Sequence, residues 1–149
     1  MTDTAGLDGY FIEDVTVGMS ALISKTITEA DIVLFAGISM DTNPLHLDER
    51  YASTSRFGGR IAHGMLGASL ISAVFGTKLP GPGAIYVSQS LRFRAPVRAG
   101  DTLVAEATVT RIQEDRRRVE FSTEVRNGDV VVIEGEAVLL LPSRAAARG

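Results

Sequence analysis

The sequence predicts an α+β fold in which a curved antiparallel sheet wraps around one central buried helix. Residues 61–74 are apolar around most of a helix, residues 84–141 contain four successive strand-like stretches, and no low-complexity linker divides the chain. The length of 149 residues and the composition, 45% hydrophobic and 22% charged, are those of one packed globular unit. We therefore treat residues 1–149 as a single domain.

Composition excludes several classes of function. The chain has no cysteine and only two histidines without a metal-ligand spacing, so we exclude a disulfide framework and a thiolate nucleophile and predict no metal site. The net charge of -3 argues against a nucleic-acid-binding protein. Residues 1–8 lack a signal-peptide pattern, and no stretch reaches the ~20 apolar residues of a membrane span. We expect a cytoplasmic protein with no membrane partner.

The first elements are indicated by turn and capping residues. Residues 1–16 show no periodic pattern and are predicted to form an irregular lead-in, and residues 21–26 are predicted to form a short strand. A helix is predicted from Thr28, whose side chain can accept a hydrogen bond from a free amide, to about Ser39.

The residues after this helix are predicted to form a loop. Pro44 has no amide proton and disfavours helical geometry in the residue before it, so residues 40–47 cannot continue the helix. Asp48 can then cap a short helix over residues 49–53.

The segment 61–74 is predicted to be the buried helix. Small residues recur among its large apolar ones, which indicates that another element packs very close to it. A surrounding sheet is the simplest candidate for that element. Gly76 is in a position to end the helix.

Four strands are predicted after the Pro-Gly-rich break at residues 80–83. They cover residues 84–95, 102–113, 117–126 and 130–141, and Asn127-Gly128 indicates a hairpin between the last two. In the third strand the residues expected to face the core are Val119, Phe121, Thr123 and Val125. A four-strand meander, one earlier strand and a buried helix match a hot-dog fold.

The predicted sheet has edges without a partner strand. The strands contain no proline in their middles that would prevent further pairing. We therefore expect two copies of the chain to form a homodimer. Residues 143–149 follow the last strand and are predicted to be a frayed tail.

Asp41 and His46 are the first candidates for chemistry. They stand five positions apart, and a turn at Asn43-Pro44 can bring the carboxylate and the imidazole together for acid–base work on a water molecule. From the spacing alone a structural interpretation is also open. In that interpretation Asp41 caps a turn, and His46 packs against the core with a satisfied ring nitrogen.

The segment Gly59–Met65 opens the predicted buried helix. Free amides at a helix start carry partial positive charge, and Gly64 has no side chain to keep a substrate carbonyl away from its N–H. Binding of an oxyanion is one interpretation, and close packing of helix and sheet is the other. His63 is expected to form hydrogen bonds at the helix start rather than to act as a second catalyst, and we count it among the substrate-binding candidates.

Two separated motifs resemble one known family. DTNPLHLD at residues 41–48 and IAHGML at residues 61–66 resemble the hydratase motif of the MaoC-like (R)-specific enoyl-CoA hydratases and dehydratases. IYVSQSLRF at residues 85–93 also resembles the first long strand of those proteins. The resemblance extends over residues 17–142, which is nearly the whole chain.

The resemblance implies an enzyme of fatty acid metabolism with a hot-dog fold. Its reaction is reversible syn addition of water to a trans-2-enoyl-CoA, which gives an (R)-3-hydroxyacyl-CoA and needs no cofactor beyond the coenzyme A of the substrate. Asp41 and His46 would activate the water added at C3 and manage the proton at C2, with their separate acid and base roles left open. The N–H of Gly64 would stabilise negative charge on the thioester oxygen. Ser72 matches a serine of the polyester-supplying bacterial members, and it is either a further catalytic residue or a small buried residue that bonds back to a helix carbonyl.

Four further residues are candidates for contact with the substrate. Asn43 is expected to orient its loop through a hydrogen bond to the backbone, with direct substrate contact as the alternative. Arg92 and Arg94 alternate with apolar residues along one predicted strand, and Arg98 follows them. These arginines would meet the coenzyme A phosphates across a dimer interface, or would form an ordinary solvated strand face.

Three alternative functions remain at this point. The nearest is a dehydratase of a longer, branched or carrier-protein-bound 3-hydroxyacyl thioester, which would use the same site. A thioesterase would need its water at the carbonyl carbon, and the pattern of Asp41 and His46 matches the hydratases instead. A non-catalytic acyl-CoA-binding protein is the alternative outside catalysis, although binding alone does not require this pair.

Overall fold

The computed structural model of the protein describes residues 9–145. The predictions made for residues 1–8 of the lead-in and 146–149 of the tail lie outside the described residues. One 3-10 turn, Ile12–Asp14, forms in the lead-in. Within the described range no helix is long and apolar enough to cross a membrane.

Six strands and four α-helices form between residues 9 and 145. They are β1 (Ser20–Thr26), α1 (Glu29–Ser39), α2 (Pro44–Leu47), α3 (Glu49–Ala52), α4 (Gly64–Thr77), β2 (Ile85–Gln89), β3 (Arg92–Phe93), β4 (Thr102–Gln113), β5 (Arg118–Asn127) and β6 (Val130–Leu140). The predicted first strand, first helix and last three strands are confirmed to within about one residue at each end.

The start of α1 is a capping box, as Thr28 predicted. The Oγ1 of Thr28 accepts a hydrogen bond from the N–H of Asp31 at 3.1 Å, and the Asp31 carboxylate accepts one from the Thr28 N–H at 2.8 Å. The latter bond is the main reason why the pKa of Asp31 lies below its usual range. After Ser39 the chain turns at Met40, which has a left-handed φ of 63° in the place where a helix commonly has glycine.

The helix α2 corrects the predicted loop over residues 40–47. Pro44 stands at the first position of this helix, where its fixed φ suits the helix and its missing N–H is not needed. The Oδ1 of Asn43 accepts a hydrogen bond from the N–H of Leu45 at 3.0 Å and so caps the helix. Pro44 therefore ends one helix and begins the next. The helix α3 is confirmed, with Asp48 as its cap.

The buried helix α4 begins three residues later than predicted and does not end at Gly76. The residues before it are extended, because the N–H of Ala62 donates to the carbonyl of Val97 at 2.7 Å. Gly76 lies inside the last turn, and the helix continues to Thr77. The close packing predicted from the small residues is confirmed at Gly67, where an added Cβ would lie 3.0 Å from the Cδ1 of Ile133 on β6.

The sheet is antiparallel with the order β1-β4-β5-β6-β2, and β3 also pairs with β6. The predicted four-strand meander is therefore wrong for residues 84–95, which pair with the last strand rather than with the next one. That stretch is also interrupted at Ser90, whose N–H donates to the carbonyl of Glu136 at 2.8 Å. Gly135 is required opposite this interruption, because a Cβ there would lie 1.8 Å from the Ser90 carbonyl oxygen.

The inner face of the sheet packs on α4 and forms the core. The predicted core face of β5 is confirmed, since the exposed fractions are 0%, 1%, 3% and 0% for Val119, Phe121, Thr123 and Val125. The helix contacts β1, β4, β5 and β6. The hot-dog arrangement that the sequence predicts is thus confirmed.

The described part of the tail is not frayed. The guanidinium of Arg144 donates to both carboxylate oxygens of Asp14, at 2.6 and 2.7 Å, and the hydroxyl of Ser143 donates to Glu13. The ion pair with Arg144 holds the pKa of Asp14 below its usual range. The chain after β6 is therefore joined to the lead-in by polar contacts whose partners are more than 100 residues apart, which a local sequence pattern does not indicate.

Candidate active site

Two histidine rings lie against each other where α2 approaches the start of α4. The ring centroids of His46 and His63 are 3.9 Å apart with a tilt of 30°, and Phe35 of α1 packs against His63 with centroids 4.9 Å apart. Both histidines are buried, with exposed fractions of 8% and 3%. The fold thus brings the two predicted segments of the site together.

The hydrogen bond of His46 determines which of its nitrogens is free. Its Nδ1 lies 2.8 Å from the carbonyl oxygen of Ile61. A carbonyl oxygen can only accept, so Nδ1 carries the hydrogen and Nε2 has the lone pair in the neutral ring. Nε2 lies 3.8 Å from the Oδ2 of Asp41. The free nitrogen of His46 therefore lies beside the carboxylate that the sequence pairs with it.

The two carboxylate oxygens of Asp41 also have different neighbours. Its Oδ1 accepts a hydrogen bond from the N–H of Asn43 at 3.2 Å, which leaves Oδ2 for His46. The side chain of Asp41 is 51% exposed. The structural interpretation is thus confirmed, because Oδ1 of Asp41 and Nδ1 of His46 each form a hydrogen bond to the backbone. The proximity of the two side chains is confirmed as well, and Oδ2 of Asp41 and Nε2 of His46 remain available for chemistry. Asn43 orients the loop as expected, through its bond to the N–H of Leu45.

Gly64 is the first residue of α4 and is exposed. Within residues 9–145 no acceptor is found for its N–H. The ring of Phe93 lies so close that an added Cβ on Gly64 would be 2.7 Å from it. Gly64, His63 and Asp41 line one recess of about 420 Å³ with Phe93 on its wall. The close packing of helix and sheet at Gly64 is therefore confirmed, and the binding of an oxyanion by its N–H stays a prediction.

Ser72 does not join this recess. It lies eight residues after Gly64, or about 12 Å along the helix axis, and it is exposed rather than buried, which corrects the alternative of a buried back-bonding serine. It lines a groove of about 530 Å³ along α4 that Met65 separates from the recess. Tyr86 lies on the opposite wall with its hydroxyl donating to Gln89, and burial raises the pKa of Tyr86 to about 12.

The predicted arginines line different cavities. Arg94 lines the recess of Gly64, whereas Arg92 lines a different cavity that includes four glutamates. Both nevertheless reach Glu134, which lies opposite Arg92 on β6 and is paired with the guanidinium of Arg94. Arg98 donates to the carbonyl oxygens of Phe57 and Arg60 and so holds the loop before α4.

Sequence reasoning missed Arg56, which also lines the recess. Its guanidinium lies 5.1 Å from the centroid of the Phe57 ring, and it has no carboxylate partner among the salt bridges of the described residues. Arg94, by contrast, is paired with Glu134. The signal available in the sequence was a basic residue a few positions before the Gly59–Met65 segment.

Asp41, His46 and His63 also form a group of possible metal ligands, with one atom of each within 4.8 Å of the others. Zinc lies about 2.1 Å from each histidine nitrogen and in the plane of each ring. The rings of His46 and His63 have centroids 3.9 Å apart and a tilt of 30°. Their planes therefore intersect farther from the ring nitrogens than the length of a zinc–nitrogen bond. The arrangement fits acid–base chemistry better than metal ligation, and the absence of a metal stays a prediction.

Comparison with known proteins identifies close relatives. A family model for the MaoC like domain matches residues 15–136. The (R)-specific enoyl-CoA hydratase of Rhodospirillum rubrum is 57% identical over 135 residues, which are 91% of this chain and 94% of that protein. The 3-hydroxybutyryl-CoA dehydratase of Methylorubrum extorquens is 47% identical over 92% of this chain and 87% of its own length. The R-hydratase PhaJ1 from Pseudomonas aeruginosa, in its unliganded form, has a TM-score of 0.86 at 44% identity and covers 91% of this chain and 88% of its own.

The tautomers of the two histidines can be tested directly. We expect the neutral ring of His46 to carry its hydrogen on Nδ1, which donates to Ile61, and that of His63 to carry it on Nε2, which lies 2.9 Å from the Asp41 carbonyl oxygen. Nitrogen-15 spectra of the ring nitrogens distinguish the two forms. The same tautomer in both rings would contradict this geometry.

Proposed function

The chain belongs to the MaoC-like dehydratase family, and we propose that it is an (R)-specific enoyl-CoA hydratase, which adds water reversibly to a trans-2-enoyl-CoA to give an (R)-3-hydroxyacyl-CoA. The observation that carries the proposal is the free Nε2 of His46 beside the free Oδ2 of Asp41, together with the recess that Asp41 and Gly64 both line. Syn hydration needs the acid–base pair on one face of the double bond and a hydrogen-bond donor at the thioester oxygen.

The distance between the two free atoms supports a bridging water. At 3.8 Å the two atoms are too far apart for a direct hydrogen bond. A water oxygen about 2.8 Å from each atom would form an angle of about 85° between Nε2 of His46 and Oδ2 of Asp41. The lone pair of neutral His46 and the ionised carboxylate of Asp41 would accept the two water hydrogens. A water held in this way directs its own lone pairs toward C3 of the substrate.

The reaction then needs an acceptor for negative charge. As the water oxygen bonds to C3, one water proton passes to the pair and the C2–C3 π electrons move toward the thioester oxygen. The N–H of Gly64, at the positive end of α4, would donate to that oxygen. The same pair then returns a proton to C2. Because water and proton come from one side, the addition is syn.

The groove along α4 supports a place for the acyl chain. It begins at Met65 next to the recess and continues past Ser72 toward a smaller cavity bounded by Phe75 and Gly76. We infer that Ser72 contacts the acyl chain and not the reacting carbons, since it lies about 12 Å from Gly64. Dehydration of a 3-hydroxyacyl-CoA would use the same groups in reverse, as the name of the Methylorubrum extorquens relative suggests.

We also propose that the active form is a homodimer. Five large apolar side chains around the groove are 40–60% exposed: Met65, Ile85, Tyr86, Val87 and Phe93. They lie on β2, on β3 and at the open side of α4, and β2 is an edge strand with a free side. A second copy that pairs there would cover this surface and close the groove.

Three features of the proposal rest mainly on sequence. They are the single-domain organisation, the absence of any cofactor other than the coenzyme A of the substrate, and the cytoplasmic location. A role in fatty acid metabolism follows from the proposed substrate and product.

The first prediction from the proposed function concerns the acid–base pair. We expect the wild-type protein to hydrate crotonyl-CoA. The variants Asp41→Asn and His46→Gln should each lower kcat by at least about a hundredfold, because each removes an acid–base group. Hydration is followed by the loss of enoyl absorbance, and an (R)-specific dehydrogenase should oxidise the product.

The matched control for this prediction is Asp129→Asn, which changes an exposed carboxylate in the β5–β6 turn. It should leave kcat unchanged, and circular dichroism should show that all three variants are folded. Turnover that is indifferent to both site substitutions would contradict the assignment of the pair.

The second prediction concerns the coenzyme A phosphates. Arg56→Glu and Arg94→Glu should each raise KM for crotonyl-CoA about tenfold or more, with little change in kcat, because each replaces a cation at the recess by an anion. The effect of both should weaken at high salt. We expect a smaller change for Arg92→Glu, which lies among glutamates. Arg118→Glu, at the far end of β5, is the control, and equal KM values for all variants would contradict the arginine assignment.

The third prediction concerns the dimer. Light scattering should give twice the chain mass of 15.9 kDa for the wild type. Val87→Glu should shift the mass toward the monomer, because it places a charge in the proposed interface. Val130→Glu changes another valine of similar exposure, 54% against 47%, on a different strand and should not shift it. A wild-type monomer would rule out the proposed interface.

A further inference from the structure

We propose that His63 is a positioning residue for the acid–base pair, which holds Asp41 through its backbone and His46 through its ring face. The inference rests on the proposed hydratase function, because it assigns His63 a part in that site. It goes beyond the expectation that His63 forms a hydrogen bond at its own helix start.

His63 occupies the N-cap position of α4 without capping that helix. Its side chain makes no hydrogen bond to the first turn. Its Nε2 lies instead 2.9 Å from the carbonyl oxygen of Asp41, 22 positions earlier in the chain. Because the carbonyl can only accept, Nε2 carries the hydrogen and donates it. One rigid ring therefore joins the start of α4 to the residue whose carboxylate faces His46.

The same ring lies against the face of His46. The centroid distance of 3.9 Å is a direct contact, and His63 is only 3% exposed, so the ring has little room to move. His46 is held at its Nδ1 by the carbonyl of Ile61. With one nitrogen held by Ile61 and one face held by His63, the Nε2 of His46 is kept opposite the Asp41 carboxylate.

The surroundings of the other nitrogen of His63, Nδ1, favour a positioning role for this residue over a role in proton transfer. Nδ1 is buried and has no hydrogen-bond partner within the described residues. A hydrogen on Nδ1 would be a buried donor without an acceptor, so the ring carries its hydrogen on Nε2. A phenylalanine would fill the same space without leaving a polar atom unpaired. The N–H directed at Asp41 is therefore the property for which this position needs histidine.

Two substitutions at His63 separate its two contacts. His63→Phe keeps an aromatic ring against His46 and removes the donor to Asp41, whereas His63→Gln can keep the donor and removes the ring. We expect His63→Phe to lower kcat for crotonyl-CoA about tenfold to a hundredfold with KM within about twofold of wild type, because it misplaces the acid–base pair. His63→Gln should retain severalfold more of kcat. Equal losses in the two variants would overturn the assignment to the Asp41 hydrogen bond.

A double-mutant cycle distinguishes positioning from a general structural effect. If His63 acts through the Asp41 carboxylate, His63→Phe should change kcat by no more than about twofold in the Asp41→Asn background. A purely structural role would lower activity by the same factor in both backgrounds. Thr123→Val is the matched control, since Thr123 is also 3% exposed and polar, and it should leave kcat unchanged.

Hydrogen–deuterium exchange tests the inference without any activity. The N–H of Asn43 donates to the Asp41 carboxylate, and we expect it to exchange about tenfold or more faster in His63→Phe but not in His63→Gln. If the wild type hydrates no enoyl-CoA, the proposed function fails while exchange still decides whether His63 holds Asp41. If the wild type is active and His63→Phe matches it in kcat and exchange, the inference alone fails.

Discussion

The close burial of α4 inside the curved sheet is the constraint on which the site depends. An added methyl group at Gly67 would already lie 3.0 Å from a side-chain atom of Ile133, so the helix cannot approach β6 further or rotate freely. Ile71 and Val74 are 1% and 0% exposed and hold the following turns. The first residue of the helix, Gly64, is consequently fixed beside Phe93 on β3. Its unpaired N–H is held in place by the packing of the helix body and not by a bond of its own.

This fixed helix start also determines the geometry of the acid–base pair. The carbonyl of Ile61 and the ring of His63, both from the segment that leads into α4, hold the two sides of His46. That segment is in turn joined to the chain after β3 by the bond from Ala62 to Val97. The pair on the α1–α2 side of the fold is therefore aligned by contacts with the segment that leads into α4. In the proposed mechanism, one packed element would supply both the oxyanion donor and the alignment of the groups that handle the proton.

Local sequence signals predicted those features that local interactions decide. The cap at Thr28 and the alternation along β5 depend on neighbouring residues, and both are present. The pairing of residues 84–95 with β6 depends on contacts about 45 residues away, which no local pattern specifies, and Pro44 is compatible with both a loop and a helix start. In the site, the motifs predicted that Asp41 and His46 lie together, but which cationic side chains line the recess depends on the folded loop and on β3. Arg56 stands only a few positions before the Gly59–Met65 segment, but its contact with the recess depends on how the loop folds.

The exposure of Asp41 explains why catalysis and binding should be coupled in this site. Two opposite charges about 4 Å apart interact by only about 1 kcal/mol in water and by about 4 kcal/mol near a partly buried protein surface. Asp41 is 51% exposed, so in the single chain its interaction with a protonated His46 is weakened by solvent. A thioester in the recess would displace that water, and so would a second copy at Phe93 on the recess wall. In the proposed mechanism the pair would become effective when the site is filled, because binding energy from the acyl chain and coenzyme A would then strengthen the interactions at the reacting carbons.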